Sequence, residues 1–158
     1  MTNTADIEVE LGRRLSRLGL TLSTAESCTG GGIAALVTSV PGSSAYFRGG
    51  VVAYSNEVKT SLLGVSPLTI ETYDVVSREV VTEMARGVQA LLHTDCAIST
   101  SGIAGPDGGT AERPVGTIWI AVARGDRLLT RQLSGDHGRQ ANTERAIRTA
   151  LRLLLDLL

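Results

Sequence analysis

Segments of helical periodicity alternate along this chain with short extended apolar segments, and this order restricts the fold more than any single residue does. An apolar residue every three or four positions from Ile7 to Leu18 predicts an opening amphipathic helix. The predicted strands cover residues 20–25, 50–55, 96–100, 115–123 and 128–133. Short helices are predicted at 33–37, at 56–63 and from Pro67. A longer helix capped by Ser77 follows, and a last helix runs from Arg139 or Asn142 to the end. Such an order is typical of a sheet with helices on both faces. We therefore predict an α/β fold, a three-layer αβα sandwich with a mixed, mostly parallel sheet, formed by residues 1–158 as a single domain.

Charge and composition narrow the classes of partner. The net charge is -1, and three Tyr, one Trp and one Phe provide few stacking platforms, so neither duplex nor single-stranded nucleic acid is an expected partner. The apolar runs are too short to cross a membrane, and the polar, acidic segment 1–6 does not resemble a signal peptide. Cys28 and Cys96 have no metal-ligand spacing, which favours a reduced, cytoplasmic protein. A small-molecule partner remains the expectation.

The polar stretch from Ser27 to Gly32 follows a predicted strand and precedes a predicted helix. The first amides of a helix lack internal partners, and Gly30 and Gly31 would let a substrate approach the backbone. Ser27 could therefore be a nucleophile beside an oxyanion hole, part of a phosphate cradle, or only a helix N-cap. Cys28 is either a rival nucleophile or a small apolar residue of the core.

The chain contains 14 Arg and a single Lys, Lys59. Arginine replaces lysine for surface charge but not where an amine must lose its proton, so Lys59 is a candidate for chemistry. Ser27, Tyr54 and Lys59 each follow a predicted strand. Because ligands bind at the carboxyl ends of strands in such folds, the three side chains would converge there. A desolvated lysine can take a serine proton and a tyrosine can relay one, although a capping Ser, a core-edge Tyr and a solvated Lys also fit the spacing.

A second glycine-rich loop, 101–109, begins with Ser101-Gly102 and could offer backbone amides to an anion. It lacks the lysine of a Walker motif, so it could equally be a flexible surface loop. Arg139 could clamp a phosphate at the start of the last helix or form a surface salt bridge. His137 beside Asp136 is not a metal site, and no metal or cofactor is expected.

Four segments resemble the signature motifs of the CinA C-terminal domain family: residues 25–31 (AESCTGG), 54–59 (YSNEVK), 101–109 (SGIAGPDGG) and 114–117 (PVGT). Members of this family resemble nicotinamide-nucleotide amidohydrolases, which convert nicotinamide mononucleotide to nicotinate mononucleotide and ammonia in pyridine-nucleotide recycling. The resemblance implies a Ser27 nucleophile assisted by Lys59 and Tyr54. It also implies substrate binding by Thr29, Ser101 and Arg139.

The same resemblance implies a homodimer and the stand-alone form of the family, since longer members carry a further N-terminal domain. The expected mechanism is metal-independent hydrolysis through an acyl-enzyme, with the oxyanion held by the amides at the start of the helix after Ser27. Two alternatives remain. One is a non-catalytic nucleotide-binding regulator linked to competence or DNA damage, and the other is an amidase of a different substrate.

Overall fold

The computed structural model describes residues 6–158, so residues 1–5 of the polar N-terminal segment lie outside the described residues. The described residues form five strands and six α-helices. The strands are β1 (Leu22–Glu26), β2 (Phe47–Val52), β3 (Cys96–Gly102), β4 (Ile118–Arg124) and β5 (Arg127–Leu133). The helices are α1 (Ile7–Leu18), α2 (Gly32–Thr38), α3 (Asn56–Ser61), α4 (Pro67–Tyr73), α5 (Arg78–Leu92) and α6 (Arg139–Leu157).

The five strands form one mixed sheet in the order β2-β1-β3-β4-β5. Strand β1 pairs in parallel with both β2 and β3, so that Ala25 lies between Val51 and Ser99. Strand β4 runs antiparallel to its neighbours β3 and β5. Four of the five strands therefore run in one direction, and the predicted α/β class with a mixed sheet is confirmed.

Helices cover both faces of the sheet. On one face, α1, α2 and α6 enclose large apolar side chains of the central strands, such as Leu22, Ile98 and Ile120. On the other face, α5 packs against small strand residues, including Ala97 and Ala121. Each face buries its own apolar cluster, which is the main stabilising contribution in a layered fold.

Some boundaries differ from the sequence prediction. Every residue of β1 is buried, because β1 lies between two strands and under helices on both faces. Strand β2 ends at Val52, so Tyr54 lies beyond the strand instead of closing it. Strand β4 starts at Ile118 and not at Val115, because Gly116 adopts a positive φ and Thr117 closes a turn onto Pro114.

The direction of the strands decides where the loops meet. The carboxyl ends of β1, β2 and β3 lie at one edge of the sheet, and β5 ends at that edge too. The loops that follow these strands carry Ser27, Tyr54, the 101–109 segment and Arg139. No helix among residues 6–158 is both long and apolar enough to cross a membrane.

Candidate active site

A loop of five residues, 27–31, separates β1 from α2. Helix α2 begins at Gly32, and its N-cap is Gly31 in the left-handed region (φ 95°). Ser27 is therefore not the N-cap of this helix. The position of Ser27 is set by tertiary contacts and not by helix capping.

The buried carboxylate of Glu26 occupies the N-terminus of α2. Its Oε1 accepts hydrogen bonds from the Ile33 amide (2.8 Å) and the Thr29 hydroxyl (2.6 Å), and its Oε2 accepts from the Ala34 amide (3.0 Å). These amides are consequently not free to stabilise an oxyanion, and the expectation that the start of α2 does so is wrong. A carboxylate at a helix N-terminus is favoured by the helix dipole, so this arrangement rigidifies the loop after β1.

Ser27 and Lys59 lie together, as the sequence predicts. Ser27 is 8% exposed, and its amide donates to the carbonyl of Thr100 on the neighbouring strand (3.1 Å). The Nζ atom of Lys59 lies 3.1 Å from Ser27 Oγ, within hydrogen-bonding distance. The two side chains thus have the separation that proton transfer between a serine and an amine requires.

Lys59 is fully buried, with 1% of its surface exposed. It lies in the short helix α3, which is capped by the Ser55 hydroxyl accepting from the Val58 amide. Burial lowers the pKa of Lys59 from its ordinary value, because an ammonium loses its hydration there, and the nearby Cys28 opposes this slightly. A lowered pKa increases the fraction of Lys59 that is neutral and able to act as a base.

Cys28 lines the same cleft but is not poised for nucleophilic attack. Burial raises the pKa of its thiol to about 12, and the neighbouring Glu26 acts in the same direction. The thiolate is the nucleophilic form of cysteine, so at neutral pH Cys28 is an unreactive thiol. Of the adjacent pair, Ser27 is the better candidate.

Tyr54 is brought to the cleft but not into hydrogen bonding with Ser27 or Lys59. It is 63% exposed, and its hydroxyl accepts a hydrogen bond from Arg139 Nη2 (3.2 Å). Arg139 Nη1 also donates to the carbonyl of Gly105 (2.6 Å). The guanidinium of Arg139 therefore bridges the 101–109 loop and Tyr54 across the mouth of the cleft.

The cleft has a volume of about 290 Å³. Only some of the residues predicted to bind substrate line it. Ser101, Gly102 and Arg139 line it. The Thr29 hydroxyl instead contacts Glu26 and Thr100, and neither Gly30 nor Gly31 reaches the cleft wall. The 101–109 loop, which the sequence indicated as a possible anion-binding loop, also lines the cleft through Ile103, Ala104, Gly105, Asp107 and Gly108. The lining residues that sequence reasoning missed are Asn56, Val75 and Val76.

The Cys28 amide is the backbone donor next to the candidate nucleophile. It donates to no other described residue and is hydrogen-bonded to the thiol of its own side chain, whereas the amides of Ser27 and Gly30 donate to other residues. Cys28 follows the candidate nucleophile directly and lines the cleft. Its N–H is thus a candidate oxyanion donor, in place of the α2 amides.

Asn142 of α6 connects the loops on the far side of the cleft, a role that no sequence signal indicated. It is buried, donates to the carbonyl of Ala104 and to Asp136 Oδ1, and accepts from the His137 amide. Hydrogen bonds from Gly138 and Asn142 lower the pKa of Asp136. His137 is exposed, and within residues 6–158 no three His, Cys, Asp or Glu side chains come together as metal ligands do.

Comparisons with known proteins show the family and the fold. The sequence profile of the CinA C-terminal domain matches residues 4–158. The chain is 53% identical over 134 residues to the nicotinamide-nucleotide amidohydrolase PncC of Enterobacter agglomerans, covering 83% of this chain and 82% of that protein. It is 45% identical over 151 residues to the PncC of Pseudomonas putida, covering 96% and 94%.

A solved structure has the same fold. The competence/damage inducible protein CihA from Agrobacterium tumefaciens superposes with a TM-score of 0.90 at 44% identity, over 96% of this chain and 95% of that one. Some relatives are longer. The chain spans only 28% of the CinA-like protein of Shewanella amazonensis, to which it is 54% identical over 121 residues.

Proposed function

Since the chain belongs to the CinA C-terminal domain family, we propose that it hydrolyses the carboxamide of nicotinamide mononucleotide to give nicotinate mononucleotide and ammonia. The observation that carries the proposal is the 3.1 Å approach of Lys59 Nζ to Ser27 Oγ inside the cleft. The two relatives named for this activity support it, because the match covers 82% and 94% of their lengths.

In the first step, neutral Lys59 accepts the Ser27 proton while Oγ attacks the carboxamide carbon. The pyridinium ring of the substrate is itself a cation, so its binding beside Lys59 disfavours the ammonium further. The C–N bond then breaks, and the proton held by Lys59 passes to the leaving nitrogen, which departs as ammonia. This leaves an ester between Ser27 and the nicotinoyl group.

Negative charge develops on the carboxamide oxygen during attack. The N–H of Cys28 is proposed to donate to this oxyanion, since it follows the nucleophile directly and donates to no other described residue, only to the weak thiol acceptor of its own side chain. In the second step, Lys59 takes a proton from the water that attacks the ester. The ester C–O bond then breaks, the proton held by Lys59 returns to Ser27 Oγ, and the acid product loses its own proton to solvent as the nicotinate carboxylate.

The remaining polar groups of the cleft are assigned to the nucleotide. Arg139 and the 101–109 loop are proposed to bind the phosphate, and Tyr54 to assist proton transfer once substrate has reorganised its contact with Arg139. Thr29, Gly30 and Gly31 act indirectly, through the shape of the loop that holds Ser27. A place in pyridine-nucleotide recycling, a cytoplasmic location and a homodimeric state belong to the same proposal.

The experiment is to incubate the purified protein with nicotinamide mononucleotide and measure both ammonia and nicotinate mononucleotide. Ser27→Ala is expected to lower turnover by roughly 10⁴-fold or more, while a substrate-induced thermal shift persists. Binding without turnover in the wild type would indicate a nucleotide-binding regulator. Turnover of another amide alone would indicate a different amidase.

Cys28→Ala is the matched control at the adjacent position. Because the Cys28 thiol stays protonated and its amide is retained in the variant, turnover is expected to stay within about threefold of wild type. Loss of turnover in Cys28→Ala together with normal turnover in Ser27→Ala would assign the nucleophile to Cys28.

A further inference from the structure

The segment between α4 and α5 forms an irregular wall of the cleft. Its residues Val75 and Val76 line the same cleft as Lys59, and Val76 is only 5% exposed. Irregular backbone cannot satisfy its own polar groups, so its carbonyls need other donors. We call residues 73–76, the last residue of α4 and the three that follow it, the wall segment; its carbonyls receive those donors almost entirely from side chains.

Four consecutive carbonyls of the wall segment accept hydrogen bonds from side chains. Arg113 donates from Nη2 to the carbonyl of Tyr73 (2.9 Å) and from Nε to that of Val76 (3.0 Å). The hydroxyl of Ser77 donates to the Asp74 carbonyl, and that of Ser101 donates to the Val75 carbonyl. One guanidinium thus holds the two ends of the segment, and a residue lining the cleft holds its middle.

The wall segment does not hold this shape by local preference. Asp74 adopts φ 75° and ψ 156°, a region that residues with a side chain rarely occupy, so surrounding contacts must maintain it. Arg113 is well placed to do so, because it lies in a closed turn. The Thr110 amide donates to the Arg113 carbonyl, and the Arg113 amide donates to the Thr110 hydroxyl.

We propose that Arg113 is a positioning residue for the reaction. Its hydrogen bonds hold the wall segment against the loop after β3 and so keep water away from the Lys59 amine. This inference rests on the proposed function, in which Lys59 is the base. Arg113 thus joins the wall segment to the turn at residues 110–113, directly after the 101–109 loop, and does not itself line the cleft.

The pKa of Lys59 also depends on the other charged and titratable side chains around it. The titratable or charged side chains lining the cleft with it are Cys28, Tyr54, Asp107 and Arg139. Removing Arg113 leaves these groups in place but loosens the wall segment, so water reaches the amine and stabilises the ammonium. The expected consequence is a higher pKa for Lys59.

The single lysine makes a direct measurement possible. Protein labelled with ¹³C-lysine gives one side-chain Cε resonance, and its titration reports the pKa of Lys59 without any turnover. We expect Arg113→Ala to raise this pKa by about half a unit or more. The acid limb of the kcat/KM profile should move by the same amount, with kcat on the alkaline plateau largely retained.

Two matched arginine variants serve as controls. Arg86 donates to the carbonyls of Gly125 and Asp126 at the β4–β5 turn, so Arg86→Ala removes two similar arginine–carbonyl hydrogen bonds far from the cleft. Arg78 lies 5.2 Å from the ring centroid of Trp119 and lines a surface depression together with Tyr73 and Val76. Arg78→Ala therefore removes a cation near the wall segment but keeps the hydrogen bonds of Arg113 to that segment. Neither change is expected to move the pKa of Lys59.

An unchanged Lys59 pKa in Arg113→Ala would overturn the proposal, and so would an equal shift in Arg78→Ala or Arg86→Ala. If Arg113→Ala does not fold, Arg113→Gln, which keeps one donor, is expected to give a smaller shift in the same direction, and no shift would again overturn the proposal. Absence of turnover in the wild type would count against the proposed function alone, since the Cε resonance still measures the effect of Arg113 on the pKa of Lys59.

Discussion

At the scale of single residues, Lys59 is expected to affect both the stability of the fold and the proposed reaction. It is fully buried, and its amine has Ser27 Oγ as its hydrogen-bonding partner among the described side chains. Burial of an unpaired ammonium is unfavourable, so the folded protein favours the neutral amine more than the unfolded chain does. The burial that would make Lys59 a base in the proposed mechanism therefore destabilises the fold at neutral pH.

Lys59→Met is expected to stabilise the protein at pH 7, because methionine has a similar length and no charge to bury. The folded pKa of Lys59 lies below the unfolded value of about 10.4, so between the two values only the unfolded chain holds the proton. The contribution of Lys59 to wild-type stability therefore rises with pH across that window. The raised pKa values of the buried thiols of Cys28 and Cys96 act in the opposite direction, but both thiols are present in the two proteins and cancel in the difference between them. The advantage of Lys59→Met is largest below the folded pKa, at about 1.4 kcal/mol for each unit of pKa shift, and vanishes towards pH 10.4.

Urea unfolding of both proteins at several pH values measures this difference. The sequence helps here, because arginine does not titrate in the range and no second lysine contributes. A wild type that is as stable as Lys59→Met at pH 7 would contradict the prediction.

Lys59→Arg separates a catalytic amine from a structural cation. Arginine keeps the charge but cannot lose its proton, so we expect turnover to fall by about 10²- to 10⁴-fold. In the wild type, turnover should rise with pH as Lys59 deprotonates, and the midpoint should lie below the ordinary lysine value because burial lowers the pKa. Near-normal turnover of Lys59→Arg would remove Lys59 from the role of base.

At the scale of elements, α2 is anchored by the strand before it. Glu26 ends β1 through its backbone and receives two α2 amides and the Thr29 hydroxyl through its side chain. The loop that carries Ser27 is thus fixed at both ends by one residue. A short helix of seven residues gains little stability on its own, so this carboxylate is an important part of its support.

Glu26→Gln tests this support. An amide nitrogen would face at least one of the three donors, so we expect a loss of about 1–3 kcal/mol in the free energy of unfolding and a lower kcat with less change in KM. Urea unfolding and steady-state kinetics give the two quantities. The control is Glu144→Gln, since Glu144 pairs with Gln140 on the exposed side of α6, and a similar loss there would refute a special role for Glu26.

At the scale of the whole molecule, the cleft depends on the direction of the strands. Residues more than a hundred positions apart, such as Ser27 and Arg139, line one cleft because β1 and β5 end at the same edge of the sheet. The loop after β3 and Arg139 at the start of α6 line the cleft together with the Ser27–Lys59 pair. In the proposed function, the pair carries out the chemistry, and the loop and Arg139 bind the phosphate.

The nucleoside that lacks the phosphate is therefore expected to be a poorer substrate than the nucleotide. Hydrogen bonds to a charged group contribute about 1.5–3 kcal/mol, which corresponds to roughly a 10- to 150-fold lower kcat/KM. Arg139→Ala should narrow that gap, whereas Arg131→Ala, a change on the exposed face of β5, should leave it intact. Equal kcat/KM for nucleotide and nucleoside in the wild type would rule out a phosphate clamp.

The sequence by itself determined the kind of structure and most of its elements. Periodic apolar positions placed α1, α5 and α6, and capping Ser77 marked the start of α5, because periodicity and capping depend on residues that are neighbours in the sequence. The motif resemblance indicated the family, and the pairing of Ser27 with Lys59 was predicted from loops that follow parallel strands. The catalytic roles of these residues stay predictions.

Only the tertiary structure decided how the site is finished. Capping rules could not show that the Glu26 side chain takes the α2 amides, since Thr29 and Thr100 of β3 complete that arrangement across the sheet. Periodicity could not place Arg113 against residues 73–76, nor turn Arg139 towards Tyr54, because these contacts join segments 37 to 85 positions apart. Such contacts depend on how layers pack and in which direction strands run, and no local pattern in the chain encodes either.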